Sequence, residues 1–411
     1  MTSAPARDNS IYFLATATFF MISAIMGTRP VIPLYAVTLD IGAGEVGVLV
    51  AVFSLLPLVV ATAAGAWMDR HDRAIALLLG GAVAMLGLVL PFFFPSRAGI
   101  YAAQVIAGFG FTLYVLASQS SAGNPKKDSW TRERHIAIFS MSFALGSLAG
   151  PMLSGYLADQ IGFGLTFLFM SLKGSVALLP GLVLLYRERK AARAAASLTP
   201  ATEKPAPRGS AWPEPRRILG YHPYMHRAFL VSILILMGKD MYVAYFPLYA
   251  IEAGVTATWI GIIIAVHNGG GVVMRVVMLP LVRAFGKNRV IATSVLFSGL
   301  TLLALPLSQG IVAMTLVSLA LGLGLGIGQP LSISRTINLS PSDKVGEVLG
   351  FRLTLNRLTQ VVTPLCFGGV VLATGIAGVF WSLGLILALG SSRLVIPGED
   401  GTARQPKMRR R

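Results

Sequence analysis

The tetrapeptide PLYA stands at residues 33–36 and again at residues 247–250, an offset of 214 residues. Each copy is followed by a short turn and then by a related apolar stretch, GVLVAV at 47–52 and GIIIAV at 261–266. No gap interrupts the offset between the tetrapeptides and these stretches. A repeat that stays in register in this way predicts two homologous halves within one chain.

The composition places both halves in a membrane. Of 411 residues, 55% are hydrophobic and only 12% are charged, whereas a soluble protein carries about 25% charged residues. Apolar runs of about 20 residues, each long enough to cross a bilayer as a helix, recur along the chain. The runs are continuous rather than alternating, which favours helices over a barrel. The first run is not a cleaved signal peptide, because it is too long, contains Arg29 and is followed by many more spans.

The sequence therefore predicts an all-α membrane protein with twelve transmembrane helices in two pseudo-symmetric six-helix bundles. Two membrane halves of this kind point to a transporter whose substrate site lies between them. The predicted spans are 11–36, 44–66, 74–94, 98–121, 136–158, 162–186, 227–251, 257–281, 289–308, 311–337, 348–374 and 377–396.

The predicted domain organisation follows from these spans. Residues 1–187 form the N-terminal bundle, 188–226 a cytoplasmic linker, 227–396 the C-terminal bundle and 397–411 a basic cytoplasmic tail. Prolines between 200 and 215 deny the linker a long helix. Trp212 and residues 215–218 can form a short interfacial helix, and a solvated tether is the alternative.

The formal net charge of +17 is distributed by loop. Lysine and arginine crowd alternate loops, whereas the opposite loops hold mainly acids, with Arg97 as the lone basic residue. This asymmetry predicts that both termini are cytoplasmic, in a bacterial-type inner membrane. It also argues against nucleic acid as a partner. The single Cys366 cannot form an internal disulfide.

Two motifs identify a family. The stretch GAWMDRHDR at 65–73, with Gly65, Asp69, Arg70 and Arg73, lies in the loop between the second and third spans and resembles the loop signature of the major facilitator superfamily. The resemblance implies that this loop clamps one alternating-access conformation and touches no substrate. The sequence departs from the signature at Asp72, where the family has glycine. An ordinary basic loop is the alternative.

The second motif is GSLAGPMLSG at 146–155, in the fifth span. Its Gly146, Gly150, Pro151 and Gly155 resemble the glycine-proline signature of the proton-coupled drug exporters of that superfamily. Small residues four positions apart let helices approach closely, so plain close packing is the alternative. These exporters often carry a buried arginine in the fourth span, and this chain has Gln104 there.

Charged residues inside spans are functional candidates, since each is costly in hydrocarbon. Asp240 is the one acid deep within a span, and we expect it to carry protons. A structural ion pair with Lys239, Arg29 or Arg275 is the alternative. Arg335 and Arg352 are expected to snorkel to the cytoplasmic surface, and Lys173 has no evident role.

The resemblance implies that spans 1, 7, 8 and 11 border the substrate cavity, where Arg29, Lys239, Arg275 and Arg357 are then expected. This excess of cations favours an anionic or zwitterionic substrate, since arginine binds carboxylate and phosphate through paired hydrogen bonds. Alternatively, some of these arginines satisfy backbone carbonyls freed at proline kinks.

Polar side chains complete the predicted site. His267 is a second proton-coupling candidate, although a structural histidine is equally consistent. Tyr35 is consistent with a contact to substrate and equally with anchoring of its span at the membrane interface. The further substrate-binding candidates are Tyr35, Tyr242, Asn268, Gln119 and Asn356.

The sequence thus predicts a secondary active transporter that exports a small organic anion or zwitterion, such as a siderophore, antibiotic or metabolite, in exchange for protons. The alternatives are an importer of organic anions, a multidrug exporter of lipophilic cations, and a lipid flippase-like protein. No enzyme motif, metal-ligand spacing or nucleotide-binding loop is present, so no cofactor is expected. The expected partners are the small-molecule substrate, protons and the lipid bilayer, and the expected state is a monomer.

Overall fold

The computed structural model describes residues 10–70, 73–122, 129–179, 181–183, 185–186, 215–341 and 344–397. Throughout these ranges the chain is helical, joined by short turns, and contains no strand. The helices of the N-terminal half are α1 (Ser10–Thr28), α2 (Val31–Thr38), α3 (Ala43–Arg70), α4 (Arg73–Phe93), α5 (Arg97–Ala122), α6 (Ser129–Ile161) and α7 (Phe163–Ser175). Those of the C-terminal half are α8 (Pro215–Gly220), α9 (Met225–Glu252), α10 (Ala257–Phe285), α11 (Lys287–Ala304), α12 (Gly310–Leu325), α13 (Gly328–Leu339) and α14 (Val345–Ser391).

The helices agree with the predicted spans. In the part of the chain that the structure describes, nine helices are long and apolar enough to cross a membrane. The last of them contains two spans, because Gly375 adopts φ 74° and breaks the helix there. Ala43–Val59 is a shorter apolar helix within the second predicted span, and α7 begins the sixth. The all-α membrane fold is therefore confirmed, and the helices of the described ranges fit the twelve predicted spans.

The chain forms two compact units. The first consists of Met1–Ile41, Val52–Ser210 and Thr256–Gly261, and the second of Gly42–Ala51, Ala211–Val255 and Ile262–Arg411. The start of α3 thus groups with the second unit and the start of α10 with the first. The predicted domain boundaries at 187, 226 and 396 stay a prediction, and most of the predicted linker lies outside the described residues.

Within each unit the sequence repeat produces the same contact. A Cβ atom on Gly108 would collide with the carbonyl oxygen of Phe53, and one on Gly322 would collide with that of His267. His267 follows Phe53 at the offset of 214 residues, as Gly322 follows Gly108. Glycine at these positions therefore lets two helices approach to backbone contact, once in each unit.

The two repeat tyrosines also make equivalent hydrogen bonds. Tyr35 donates to the carbonyl oxygen of Pro91 over 3.1 Å in the first unit. Tyr249 donates to the carbonyl oxygen of Pro306 over 2.9 Å in the second. Each tyrosine therefore ties the end of one helix to the end of another in its own unit.

One span differs between the halves because of a single proline. The first span is divided into α1 and α2 at Arg29 and Pro30, since proline has no N–H to continue the helical hydrogen bonds. Its counterpart, α9, has Ala244 at the position equivalent to Pro30 and runs unbroken. Arg29 therefore sits at a helix break that the second half lacks.

The short helix α8 packs on protein. Its Ile218 is fully buried in a cluster with Met225, Phe229, Val348 and Phe351. Arg217 forms a hydrogen-bonded ion pair with Glu347 at the start of α14, and this hydrogen bond raises the pKa of Arg217. A helix thus forms at Pro215–Gly220, but Trp212 lies outside the described residues and the interfacial position expected for this helix stays a prediction.

Candidate substrate and proton site

A polar stripe on α14 is the main feature of the second unit. Arg352, Asn356 and Gln360 are spaced four residues apart, which places them on one face of the helix. Arg352 donates to Gln329 Oε1 on α13 over 2.6 Å. Asn356 Oδ1 accepts from Ser232 on α9 over 2.7 Å. The stripe therefore connects α14 to both neighbouring helices through side chains.

The third member of the stripe connects a carboxylate to a guanidinium. Gln360 Nε2 donates to Asp240 Oδ2 on α9 over 3.0 Å. On its other side, Gln360 Oε1 accepts from Arg357 Nη1 over 3.1 Å. Asp240 is only 8% exposed, whereas the adjacent Lys239 is exposed. One amide thus lies between a buried acid and a half-buried base.

Arg352 and Arg335 are buried, so the prediction that they snorkel is wrong. Arg352 is 3% exposed and Arg335 is fully buried. The Arg335 guanidinium donates to the carbonyl oxygen of Leu394 and to Asn288 Oδ1, both over 2.8 Å. Neighbouring helices therefore supply acceptors within the unit, which removes the need to reach the surface.

His267 and Tyr242 belong to a closed aromatic cluster. Their ring centroids are 4.5 Å apart, and Tyr242 also stacks on Phe246. Tyr242 donates to Ser318 Oγ over 2.7 Å, while His267 Nδ1 lies 3.2 Å from the Ser318 carbonyl oxygen. His267 is 3% exposed and Tyr242 is fully buried. The coupling and binding roles of these two residues stay predictions.

Arg275 contacts the backbone at a helix break. Its Nε atom donates over 3.3 Å to the carbonyl oxygen of Gly326, which lies between α12 and α13. Such a carbonyl has lost its helical partner, so the contact matches the alternative in which an arginine satisfies a freed carbonyl. The carbonyl concerned is that of Gly326, between two helices.

In the first unit, cations of the spans contact neighbouring helices. The guanidinium of Arg29 lies 5.1 Å from the centroid of the Phe53 ring, a cation–π geometry. Lys173 Nζ donates to Ser23 Oγ on α1 over 2.6 Å, a contact that gives this lysine a role in packing α7 on α1. Its partner could not be found from the sequence, because the two residues are distant along the chain.

The other predicted site residues are dispersed. Gln119 is exposed on α5, and Asn268 is half-buried beside His267 on α10. Tyr35 is buried and bonded to Pro91. Of the loop signature, Gly65, Asp69 and Arg70 lie on α3 and Arg73 begins α4, but their side chains lie outside the described residues.

The glycine-proline motif of α6 faces two helices. Gly146 and Gly150 pack against the backbone of α1, and Ser154 Oγ donates to the carbonyl oxygen of Gly27 over 2.6 Å. Gly155 packs against Ala257 at the start of α10. The motif thus brings α6 to backbone contact with α1 and, farther along, with α10, all within the first unit.

Sequence reasoning missed Gln360 and Ser232. The signal that identifies the stripe is the four-residue spacing of polar side chains from Arg352 to Gln360 within an apolar span. That spacing indicates which face of α14 is polar. It does not indicate which residues of α9 this face contacts, because those contacts depend on how the helices pack.

The comparisons with known proteins agree on one protein family. A sequence profile of the Major Facilitator Superfamily matches residues 13–364 and 228–411. "Multidrug resistance protein 2" of Bacillus subtilis is 22% identical over 387 residues, covering 93% of this chain and 94% of that protein. "Tetracycline resistance protein, class H" of Pasteurella multocida is 25% identical over 349 residues, covering 83% of each.

A solved structure supports the same fold. A crystal structure of the peptide transporter POT in complex with sulfate superimposes with a TM-score of 0.73 at 14% identity, covering 94% of this chain and 93% of that one. At this identity the likeness concerns the fold alone.

Proposed function

We propose a function on the premise that this chain belongs to the Major Facilitator Superfamily, whose members are transporters and not enzymes. It is a multi-pass membrane transporter, and in our proposal it exports a small organic anion or zwitterion in exchange for protons. Asp240 carries the proton. The contact from Asp240 through Gln360 to Arg357 is the observation that supports this most directly.

The amide of Gln360 makes the two charged groups interdependent. With Asp240 ionised, the amide N–H points to the carboxylate and the amide oxygen is left to accept from Arg357. A protonated Asp240 can itself donate a hydrogen bond, which favours rotation of the amide so that its oxygen faces Asp240. The amide N–H groups then face Arg357, which has donors only. The protonation state of Asp240 and the hydrogen bonding of Arg357 are therefore linked, so that proton binding and substrate binding at this site influence each other.

The proposed substrate class follows from the remaining cations. Lys239 and Arg357 are the cations of the second unit that we assign to substrate, and Arg29 is the one in the first. Arg275 is the weakest of the four candidates, since it bonds to a backbone carbonyl. A relative named for tetracycline resistance fits this class, because tetracycline is a zwitterion near neutral pH. Tetracycline and norfloxacin, another zwitterion, are therefore suitable first ligands.

The proposal also covers the membrane topology, the two sequence motifs and the oligomeric state. We propose that both termini lie on the cytoplasmic side of a bacterial-type inner membrane, a topology that the distribution of lysine and arginine supports. The loop signature around Asp69 and the motif around Pro151 act on conformation and not on substrate. We propose that the protein works as a monomer, with its small-molecule substrate, protons and the lipid bilayer as partners.

Transport in proteoliposomes tests the coupling. For an exchange of one proton per substrate, a gradient of one pH unit drives about tenfold accumulation of substrate. We expect Asp240→Asn to abolish this accumulation and to leave substrate binding measurable, because asparagine keeps an acceptor for Gln360. Gln360→Leu should retain Asp240 but weaken the dependence of substrate affinity on pH. Glu252→Gln, which removes an exposed carboxylate at the end of α9, is the matched control.

Two results would contradict the proposal. If Asp240→Asn accumulates substrate as the wild type does, another group carries the proton. If thermal unfolding is shifted by ethidium, a lipophilic cation, and by neither zwitterion, Asp240 is the counter-charge of the substrate and the protein is a multidrug exporter of cations. The relative named for multidrug resistance is the observation that favours this second candidate.

A further inference from the structure

A groove of about 570 Å³ opens on the second unit, separate from the polar stripe of α14. It is formed by α10, α11 and α12. Phe285 and Arg289 line one end, at the turn from α10 to α11, and Met274 and Phe297 line the other. From Phe285 to Met274 the groove follows α10 for about 16 Å at 1.5 Å per residue. That length is about half of the roughly 30 Å hydrocarbon core of a bilayer, or one leaflet.

The polar atoms along the groove are already bonded within the protein. Ser294 Oγ donates to the carbonyl oxygen of Gly324 over 2.5 Å. Thr293 Oγ1 donates to the carbonyl oxygen of Arg289 over 2.7 Å. Leu281, Phe297 and Leu323 supply apolar wall between them. The interior of the groove therefore suits a hydrocarbon chain better than a ligand with polar groups along its length.

The end of the groove differs from its interior. Arg289 is exposed there, and among the residues that the structure describes its guanidinium has no hydrogen-bonding partner. Arg283 and Lys287 lie on the same turn and add positive charge. An occupant with a chain of one-leaflet length and an anionic group at its surface end matches both parts of the groove. An anionic phospholipid has this form.

We propose that this groove binds one acyl chain of an anionic phospholipid, with the lipid phosphate at Arg289. By the predicted orientation, the α10–α11 turn faces the cytoplasmic leaflet, where basic groups attract anionic lipids. Charge-assisted hydrogen bonds from Arg289 hold the phosphate, and the positive charge of the turn disfavours a headgroup that also carries a cation. The apolar wall holds the chain. This site is independent of the transported substrate and of Asp240.

Lipid binding to the full-length protein in detergent tests the proposal. Native mass spectrometry compares phosphatidylglycerol with phosphatidylcholine of identical acyl chains. Both lipids carry the phosphate, but the choline cation of phosphatidylcholine is repelled by the basic turn, so we expect phosphatidylglycerol to bind about tenfold more tightly. Arg289→Gln should remove this preference, whereas Arg283→Gln, on the same turn but outside the groove, should change it less than about twofold.

A second pair of variants tests the chain-binding part. Thr293→Trp fills the groove from an exposed position, and Leu300→Trp places the same ring on exposed α11 surface outside it. We expect Thr293→Trp to weaken both lipids about tenfold and Leu300→Trp to weaken neither. Thr293→Phe provides a smaller filling side chain and should act in the same direction.

Several outcomes would overturn the proposal. Equal affinity of the wild type for both lipids would show that Arg289 selects no headgroup. An equal loss of preference in Arg283→Gln and Arg289→Gln would show only a general effect of charge. If inorganic phosphate alone raises the unfolding temperature as much as phosphatidylglycerol does, the site binds a free anion. If Thr293→Trp binds both lipids normally, the chain lies elsewhere.

Discussion

Buried polar side chains in this protein find their partners on neighbouring helices of the same unit. Lys173 bonds to Ser23, and Arg352 bonds to Gln329 and Ser332. Such bonds contribute modestly when formed, but a buried group left without its partner is costly. Polar residues within the spans therefore cannot be assigned to substrate on composition alone, as Tyr35 illustrates.

Tyr35→Phe and Tyr249→Phe should have matching effects on stability. Each variant removes one hydrogen bond to a proline carbonyl, at Pro91 or Pro306, while keeping the ring. We expect each to lower the free energy of unfolding by about 1 kcal/mol and to leave substrate affinity unchanged. Thermal unfolding in detergent and ligand titration measure the two quantities. A loss of affinity in Tyr35→Phe alone would instead support the substrate contact that the sequence suggested.

Arg352→Lys should be destabilising although it keeps the charge. The Arg352 guanidinium donates from Nε to Ser332 and from Nη2 to Gln329, and a lysine ammonium cannot reproduce this planar geometry. We expect a loss of about 1–3 kcal/mol in the free energy of unfolding, measured by chemical denaturation. Arg289→Lys, at an exposed guanidinium, is the control and should be neutral. Equal stability of the two variants would show that the paired hydrogen bonds of the Arg352 guanidinium do not contribute to stability.

The start of α10 is stabilised by a contact from another helix. α10 begins at Ala257, and its first N–H groups are capped by a side chain from another helix. Asp159, near the end of α6, accepts from the backbone N–H of Ala257 over 3.1 Å and from that of Thr258 over 2.7 Å. A carboxylate at a helix N-terminus satisfies free donors and complements the helix dipole.

Asp159→Ala should loosen the start of α10. Loss of an N-terminal cap costs about 1 kcal/mol, and we expect faster amide hydrogen exchange at residues 257–260 together with a lower unfolding temperature. Asp159→Asn should fall between the wild type and alanine, since one amide oxygen replaces two carboxylate oxygens. The matched control is Glu252→Gln, another exposed acid in the same loop region. Unchanged exchange in Asp159→Ala would rule out the cap.

For the molecule as a whole, the sequence repeat bears on contacts within each unit, whereas the charge distribution bears on orientation in the membrane. The repeat corresponds to contacts made once in each unit, such as those of Gly108 and Gly322. The charge distribution predicts which face of the membrane each loop meets, and only labelling of intact cells can test it.

Cysteine labelling should separate the two faces. With the single Cys366 replaced by serine, Ser96→Cys lies between α4 and α5, and Ser392→Cys follows α14. Both serines are exposed. We expect a membrane-impermeant maleimide to label Ser96→Cys on intact cells and Ser392→Cys only after the membrane is opened. The reverse pattern would place the termini outside, and labelling of both on intact cells would refute the odd number of spans predicted between the two sites.

The sequence alone determined the all-α membrane fold, the spans and the two homologous halves, because span length and apolar continuity are local properties that a bilayer imposes. It also singled out Asp240, since an acid in an apolar span is visible without a structure. Only the tertiary structure decided that Gln360 lies between Asp240 and Arg357, that Arg335 and Arg352 are buried, and that Tyr35 bonds to a backbone carbonyl. These facts depend on which helix faces are packed together, and residues distant along the chain set that packing.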